Sequence, residues 1–198
     1  MAMIEQPRPK KLGIFGGTFD PPHFGHVQIC KAAVKSLSLD ELVVVVANDP
    51  WQKSATVQAT APDRLAMAKA AFDTIDRVTV SDIEILRGGR SYMIETLEAF
   101  ASTEHEMYLI LGDDAASKLS TWHRAADLAE LATVAAVARG GELSLPGPPF
   151  RCLTIDVERF DCQSSQIREM VASGDPIGNF VPAEVILEVA QRHLYTSA

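Results

Sequence analysis

Residues 41–47 read "ELVVVVA", four valines in succession between a leucine and an alanine. A run that is apolar at every position, not at alternate ones, suits a strand covered on both faces, as in a parallel sheet. It is far too short to cross a bilayer, which takes about 20 residues. Upstream, Leu12 to Phe15 is a shorter apolar run ended by Gly16-Gly17, and His26 to Leu37 carries helical spacing through Val27, Ile29, Cys30, Ala33, Val34 and Leu37. Downstream, "NDPWQKSATVQATAP" is a polar loop. Pro62 opens a helix through Arg64, Leu65, Met67, Ala68 and Phe72, at a position where its missing N–H costs nothing.

The alternation continues. Val78 to Ser81 reads as a third strand, "RGGRS" as a turn, Tyr92 to Phe100 as a helix and Met107 to Gly112 as a fourth strand. Ala125 to Leu131 is helical and Thr133 to Arg139 a fifth strand. A Gly/Pro-rich loop leads to a sixth, "RCLTIDV"; Ser164-Ser165 caps a short helix, and Pro182 starts a last one through Leu194. Strands and helices at this spacing imply βαβ units with right-handed crossovers. The expected class is α/β: a Rossmann-like, doubly wound, mostly parallel sheet with helices on both faces. One domain over 1–198 is expected, with 1–10 as a flexible N-terminal extension.

Composition bounds the partners. The 198 residues are 47% hydrophobic and 22% charged, with a formal net charge of -8. Binding to nucleic acid or an anionic membrane needs clustered Lys and Arg, so neither is expected. A small anionic substrate remains open, because a few cations in a cleft act locally. Three cysteines, Cys30, Cys152 and Cys162, without CxxC spacing argue against a disulfide framework or structural zinc. The start "MAMIEQPRPKK" has no apolar core of a signal peptide. The expectation is a soluble, reduced, cytoplasmic protein, with a homo-oligomer left open.

In open sheets of this kind ligands sit at the carboxyl ends of strands, near the switch in strand order. Those ends hold Gly16 to Asp20, Ala47 to Lys53, Gly112 to Asp114, and Arg139. The first carries "GGTFDPPHFGH" (16–26), which is neither the dinucleotide fingerprint GxGxxG nor a Walker A loop. Gly16 and Gly17 let a ligand approach the backbone. His23 and His26, three apart at a helix start, share one face, where free N–H groups and the dipole favour an anion. A metal pair lacks a third ligand spaced nearby. Capping and packing alone is the plainer reading of such a pair.

With its HxGH element, "GGTFDPPHFGH" resembles the signature of the nucleotidyltransferases that adenylylate or cytidylylate small phosphorylated acceptors. From Leu12 to about Tyr195 the chain resembles the bacterial nicotinate-nucleotide adenylyltransferases, through "NDPWQK", "RGGRSYMIETL", "LGDDAASKLSTWHRAADLAELA" and "SSQIREM". The resemblance implies reaction of ATP with nicotinate mononucleotide, with Mg²⁺ carried by ATP, giving nicotinate adenine dinucleotide and pyrophosphate without a covalent enzyme intermediate. It implies catalytic roles for His23, His26, Lys53 and Arg168. It places ATP against Gly16, Gly17, Thr18, Phe19, Gly25, Asp113, Ser164 and Ser165, with the helical part 160–198 completing that site. It assigns the acceptor to Tyr92, Trp122 and Arg139, and no metal ligand to the protein.

Three positions depart from the family's pattern. Ser91-Tyr92-Met93 stands for the usual Ser-Tyr-Thr, Cys162-Gln163-Ser164-Ser165 for Ile-Ser-Ser-Thr, and Arg139-Gly140-Gly141 for Arg-Pro-Gly. They leave two alternatives: the same chemistry on nicotinamide mononucleotide or another small phosphate, or a nucleotide-binding paralogue without turnover.

Overall fold

The computed structural model describes residues 8–50, 56–138, 145–158 and 160–196. Its strands are β1 (Lys10–Gly17), β2 (Glu41–Val46), β3 (Val78–Ser81), β4 (His105–Gly112), β5 (Thr133–Ala138) and β6 (Cys152–Asp156). The helices are α1 (Phe24–Leu37), α2 (Ala61–Phe72), α3 (Ile83–Arg87), α4 (Met93–Phe100), α5 (Asp113–Ala116), α6 (Ala125–Leu131), α7 (Ser164–Ser173) and α8 (Ala183–Gln191). The strands form one sheet in the order β3-β2-β1-β4-β5-β6, every neighbouring pair parallel. The order reverses between β1 and β4, which is where a doubly wound sheet opens a crevice at its carboxyl edge.

The valine run explains how the sheet is covered. Leu42, Val44 and Val46 face one core, with Phe15, Ile110, Val137 and Ile155 from neighbouring strands; α1, α2, α7 and α8 close it. Val43 and Val45 face the other, with Ile14, Leu109, Leu111 and Val134, closed by α4, α5 and α6. Alternate residues point to opposite faces of a strand, so a run apolar at every position feeds two cores at once.

Several boundaries differ from the pattern-based expectation. β1 runs on through Gly16 and Gly17, which pair in register with Val45 and Val46 of β2. Its other end already includes Lys10, paired with His105, and Arg8 is joined to Asp40 at 2.8 Å. Arg8 and Lys10, expected within a flexible extension over 1–10, are therefore tied to the fold, and residues 1–7 lie outside the described residues. α1 starts at Phe24, two residues before the apolar period does. α3 and α5 have too few residues to show a helical period. α7 is capped by Gln163, whose N–H donates to Gln166 Oε1 at 2.8 Å, rather than by Ser164. The last helix stops at Gln191. α2 starts as expected, with Pro62 in its first turn and Thr60 as its cap, the Asp63 N–H donating to Thr60 Oγ1. Among the described residues, no helix is long and apolar enough to cross a membrane.

Candidate active site

The carboxyl ends of β1 and β4 lie on either side of the reversal in strand order. Gly16, Gly17 and Thr18 from the first, and Ile110 to Gly112 from the second, line a cavity of about 190 Å³. A Cβ at 16 would meet the Cε methyl of Met93, the first residue of α4, and that flexible side chain would have to move aside. The left-handed backbone conformation falls on Phe19 (φ 51°), not on either glycine. Holding a non-glycine residue there costs of order 1–3 kcal/mol. It persists because the Phe19 ring is 2% exposed and packed edge-on against Phe15, Phe72 and His26. Phe19 thus offers a ligand its backbone only.

His23 and His26 come together as their spacing predicts, with ring centroids 3.7 Å apart. His23 caps α1 and is 5% exposed, its ring stacked on Phe160. Its backbone N–H donates to His26 Nδ1 at 3.1 Å, so a neutral His26 ring carries its proton on Nε2. Gly25 makes room for this stack: a Cβ would sit 3.0 Å from the His23 ring and from Phe160. The HxGH pattern is therefore two rings, the glycine that lets one of them lie flat, and the positive end of a helix dipole, where the Phe24 N–H donates to the Phe180 carbonyl and those of His26 and Val27 to the His23 carbonyl.

Asp20, between the glycines and the histidines, ties this turn to the rest of the molecule. Its carboxylate, 3% exposed, accepts from the N–H groups of Gln58 (2.8 Å) and Ala59 (3.1 Å) and from the Tyr195 hydroxyl (2.7 Å). Arg168 lies 3.7 Å from it and donates to the Asp20 carbonyl at 2.8 Å and to the Thr56 carbonyl at 3.1 Å. Ser164 donates to the Pro21 carbonyl at 2.9 Å. Ser164 and Arg168 are thus brought to the turn, as expected, but in this structure they hold its main chain. Ser165 is half-buried beside Ser164 in the first turn of α7. Asp113 opens α5 straight after β4, exposed, its Oδ1 accepting from the Asp114 N–H at 3.0 Å; Gly112 is the cap.

The opposite wall of the cavity is aromatic. Tyr92, Met93, Trp122 and His123 line it, and the Tyr92 and His123 rings lie 4.4 Å apart. The buried Trp122 Nε1 finds no hydrogen-bond partner among the described residues, leaving it a donor for a ligand. Glu84, 3% exposed, also lines the cavity and accepts from the Thr96 hydroxyl. Ser91 accepts from the Asn48 N–H at 2.8 Å, which joins the exit of β2 to the start of α4. Lys53 and Arg139 lie outside the described residues.

Pattern reading passed over Asp20, Tyr195, His123 and Arg64. An Asp before a proline reads as turn chemistry. One signal for Arg64 was present: it falls on the stripe of Met67, Ala68 and Ala71 and is 1% exposed. Chemically, the cavity sets the glycine-rich end of β1 against flat apolar surface, with the His23–His26 pair outside the residues that line it. The arrangement suits positioning two ligands against each other.

A family model described as cytidylyltransferase-like matches residues 14–170. A relative from Albidiferax ferrireducens, named probable nicotinate-nucleotide adenylyltransferase, is 36% identical, over 96% of this chain and 100% of its own. One of the same name from Shouchella clausii is 35% identical, over 94% and 97%. Among solved structures, Plasmodium falciparum nicotinic acid mononucleotide adenylyltransferase complexed with APC shares the fold with a TM-score of 0.74 at 15% identity, over 94% of this chain and 97% of that one. The same enzyme complexed with NaAD gives 0.72 at 16% identity, with the same coverage. The chain belongs to the cytidylyltransferase-like nucleotidyltransferases, within the family of nicotinate-nucleotide adenylyltransferases.

Proposed function

We propose that this chain, in the cytoplasm, transfers the adenylyl group of ATP to nicotinate mononucleotide, giving nicotinate adenine dinucleotide and pyrophosphate. The observation that carries the reading is the shared cavity, walled by Gly16 to Thr18 on one side and by Tyr92 and Trp122 on the other. A triphosphate on the first wall and a pyridine ring on the second would bring the acceptor's phosphate to the α-phosphorus. An oxygen of that phosphate attacks; a new P–O bond forms in line with the bond that breaks, and pyrophosphate leaves with the electron pair.

In this reading the N–H groups of the turn and the His23 and His26 rings take up phosphate charge. Asp113 accepts from ribose hydroxyls, Ser165 faces the ATP end, and Trp122 stacks on the pyridine. Ser164 and Arg168 act through the turn they hold. Lys53 and Arg139 keep the phosphate and acceptor roles that the family pattern gives them. Mg²⁺ arrives with the ATP phosphates and offsets their charge. Among the described residues no three His, Cys, Asp or Glu side chains could hold a metal ion, so no step is assigned to a protein-bound one.

Purified protein with ATP, Mg²⁺ and a panel of acceptors, followed by pyrophosphate release, tests the proposal. Release with nicotinate mononucleotide well above release with the nicotinamide form is expected. The reverse preference would overturn the acceptor, and no release with any acceptor would overturn the enzyme reading.

A further inference from the structure

Arg64, on α2, is among the largest fully buried side chains of the molecule. Among the described residues no carboxylate lies within ion-pair distance of it; Asp20 and Tyr195 act on it only from further off. Instead, its guanidinium donates to four main-chain carbonyls. Nη1 reaches Thr18 (2.9 Å) and Ala47 (2.6 Å), Nη2 reaches Asn48 (2.9 Å), and Nε reaches Ala59 (3.2 Å). Thr18 follows β1, Ala47 and Asn48 follow β2, and Ala59 comes just before α2. One side chain therefore joins the phosphate turn to both ends of the segment 47–59.

Two of those carbonyls belong to Thr18 and Ala47, which line the cavity. A carbonyl oxygen at a phosphate site repels the ligand unless a donor occupies it. In a trans peptide the C=O and the next N–H point opposite ways, so holding the carbonyls also fixes the direction of the N–H groups that follow. One of these, on Asn48, donates to Ser91 at the aromatic wall. The planar fork of an arginine can hold several carbonyls in fixed directions at once, which the single nitrogen of a lysine cannot. Burying a cation without an ion-pair partner costs stability, so what Arg64 contributes here is geometry and positive charge behind the cavity wall.

We propose that Arg64 is a positioning residue for adenylyl transfer. It fixes the exits of β1 and β2 relative to each other, and with them the turn that receives the ATP phosphates. This rests on the reading of that turn as the ATP site.

The test compares wild type with Arg64→Gln and Arg64→Lys. The readouts are thermal melts, MgATP affinity by calorimetry, and kcat and KM with nicotinate mononucleotide, all at a temperature where the variant is folded. For Arg64→Gln, kcat should fall about 10²-fold and MgATP should bind about tenfold more weakly, with the acceptor KM within about twofold of wild type. Arg64→Lys should restore most of the ATP affinity but leave kcat about tenfold down. A folded Arg64→Gln with wild-type kcat and ATP affinity would overturn the proposal. If only the lysine variant folds, wild-type kcat in it would do the same. Failure of both to fold would make Arg64 a residue of stability and overturn it too. Wild type that binds MgATP but turns over no acceptor would sink the proposed reaction, while the ATP affinities of the variants would still judge Arg64.

Discussion

Asp20 and Tyr195 are 175 positions apart, yet the hydroxyl of one donates to the carboxylate of the other at 2.7 Å. Burial, and then the Asp20 charge, push the Tyr195 hydroxyl far above its ordinary range. The sign of the linkage follows. The folded state keeps a proton that the unfolded chain releases near pH 10, so this stability is whole below about pH 10 and is lost as the pH rises further. Tyr195→Phe should lower stability at neutral pH by about 1–3 kcal/mol, since Asp20 keeps its two backbone donors. It should also flatten the fall of Tm between pH 9 and 11, where Tyr108, raised to about 12, still contributes its own decline. Melts of both proteins across that range decide it; parallel slopes would count against the buried-hydroxyl account. At this scale His23 and His26 were legible, because helical spacing alone puts them on one face. Asp20 and Tyr195 were not, because a contact across 175 positions leaves no local period.

Elements carry the division of the cavity into two walls. The end of β1 supplies one, and the start of α4, with the turn holding Trp122, the other. Met93 is where they meet, its methyl lying over Gly16. Met93→Ala should open that seam: the acceptor KM should rise about tenfold while the ATP KM stays within about twofold. Steady-state kinetics with each substrate varied checks this, and a rise confined to the ATP KM would put Met93 on the wrong wall. β2 and most of β4 and β5 were legible from unbroken apolar runs, and α1, α2, α4, α6 and α8 from their spacing. β1 was not read to its end because Gly16-Gly17 looks like a stop, whereas pairing with Val45 and Val46 carries the strand through. An arginine in an apolar stripe reads as a side chain that reaches out to water; Arg64 instead turns inward, to carbonyls that the sequence does not mark.

At the scale of the whole molecule, the strand order places the reversal between β1 and β4, and the turn, the cavity and Asp113 all sit at that carboxyl edge. The chain carries a net charge of -8, so its overall field does not favour ATP. On the proposed reading affinity comes from local groups: the N–H groups of the turn, two imidazoles, and the cations Arg64 and Arg168 that hold the turn. The fold was legible in outline, since alternation of strand and helix fixes the layers. The shared cavity was not, because it depends on how far apart the β1 and β4 ends lie.

If ATP and the acceptor occupy that cavity together, transfer is direct. The most direct test uses ATP carrying a chiral α-phosphorothioate, with nicotinate mononucleotide as acceptor and the configuration at phosphorus read in the product. The account predicts inversion, from one in-line displacement. Retention would mean that the adenylyl group first passed through the protein, with the His23–His26 pair the first suspects, and would contradict it.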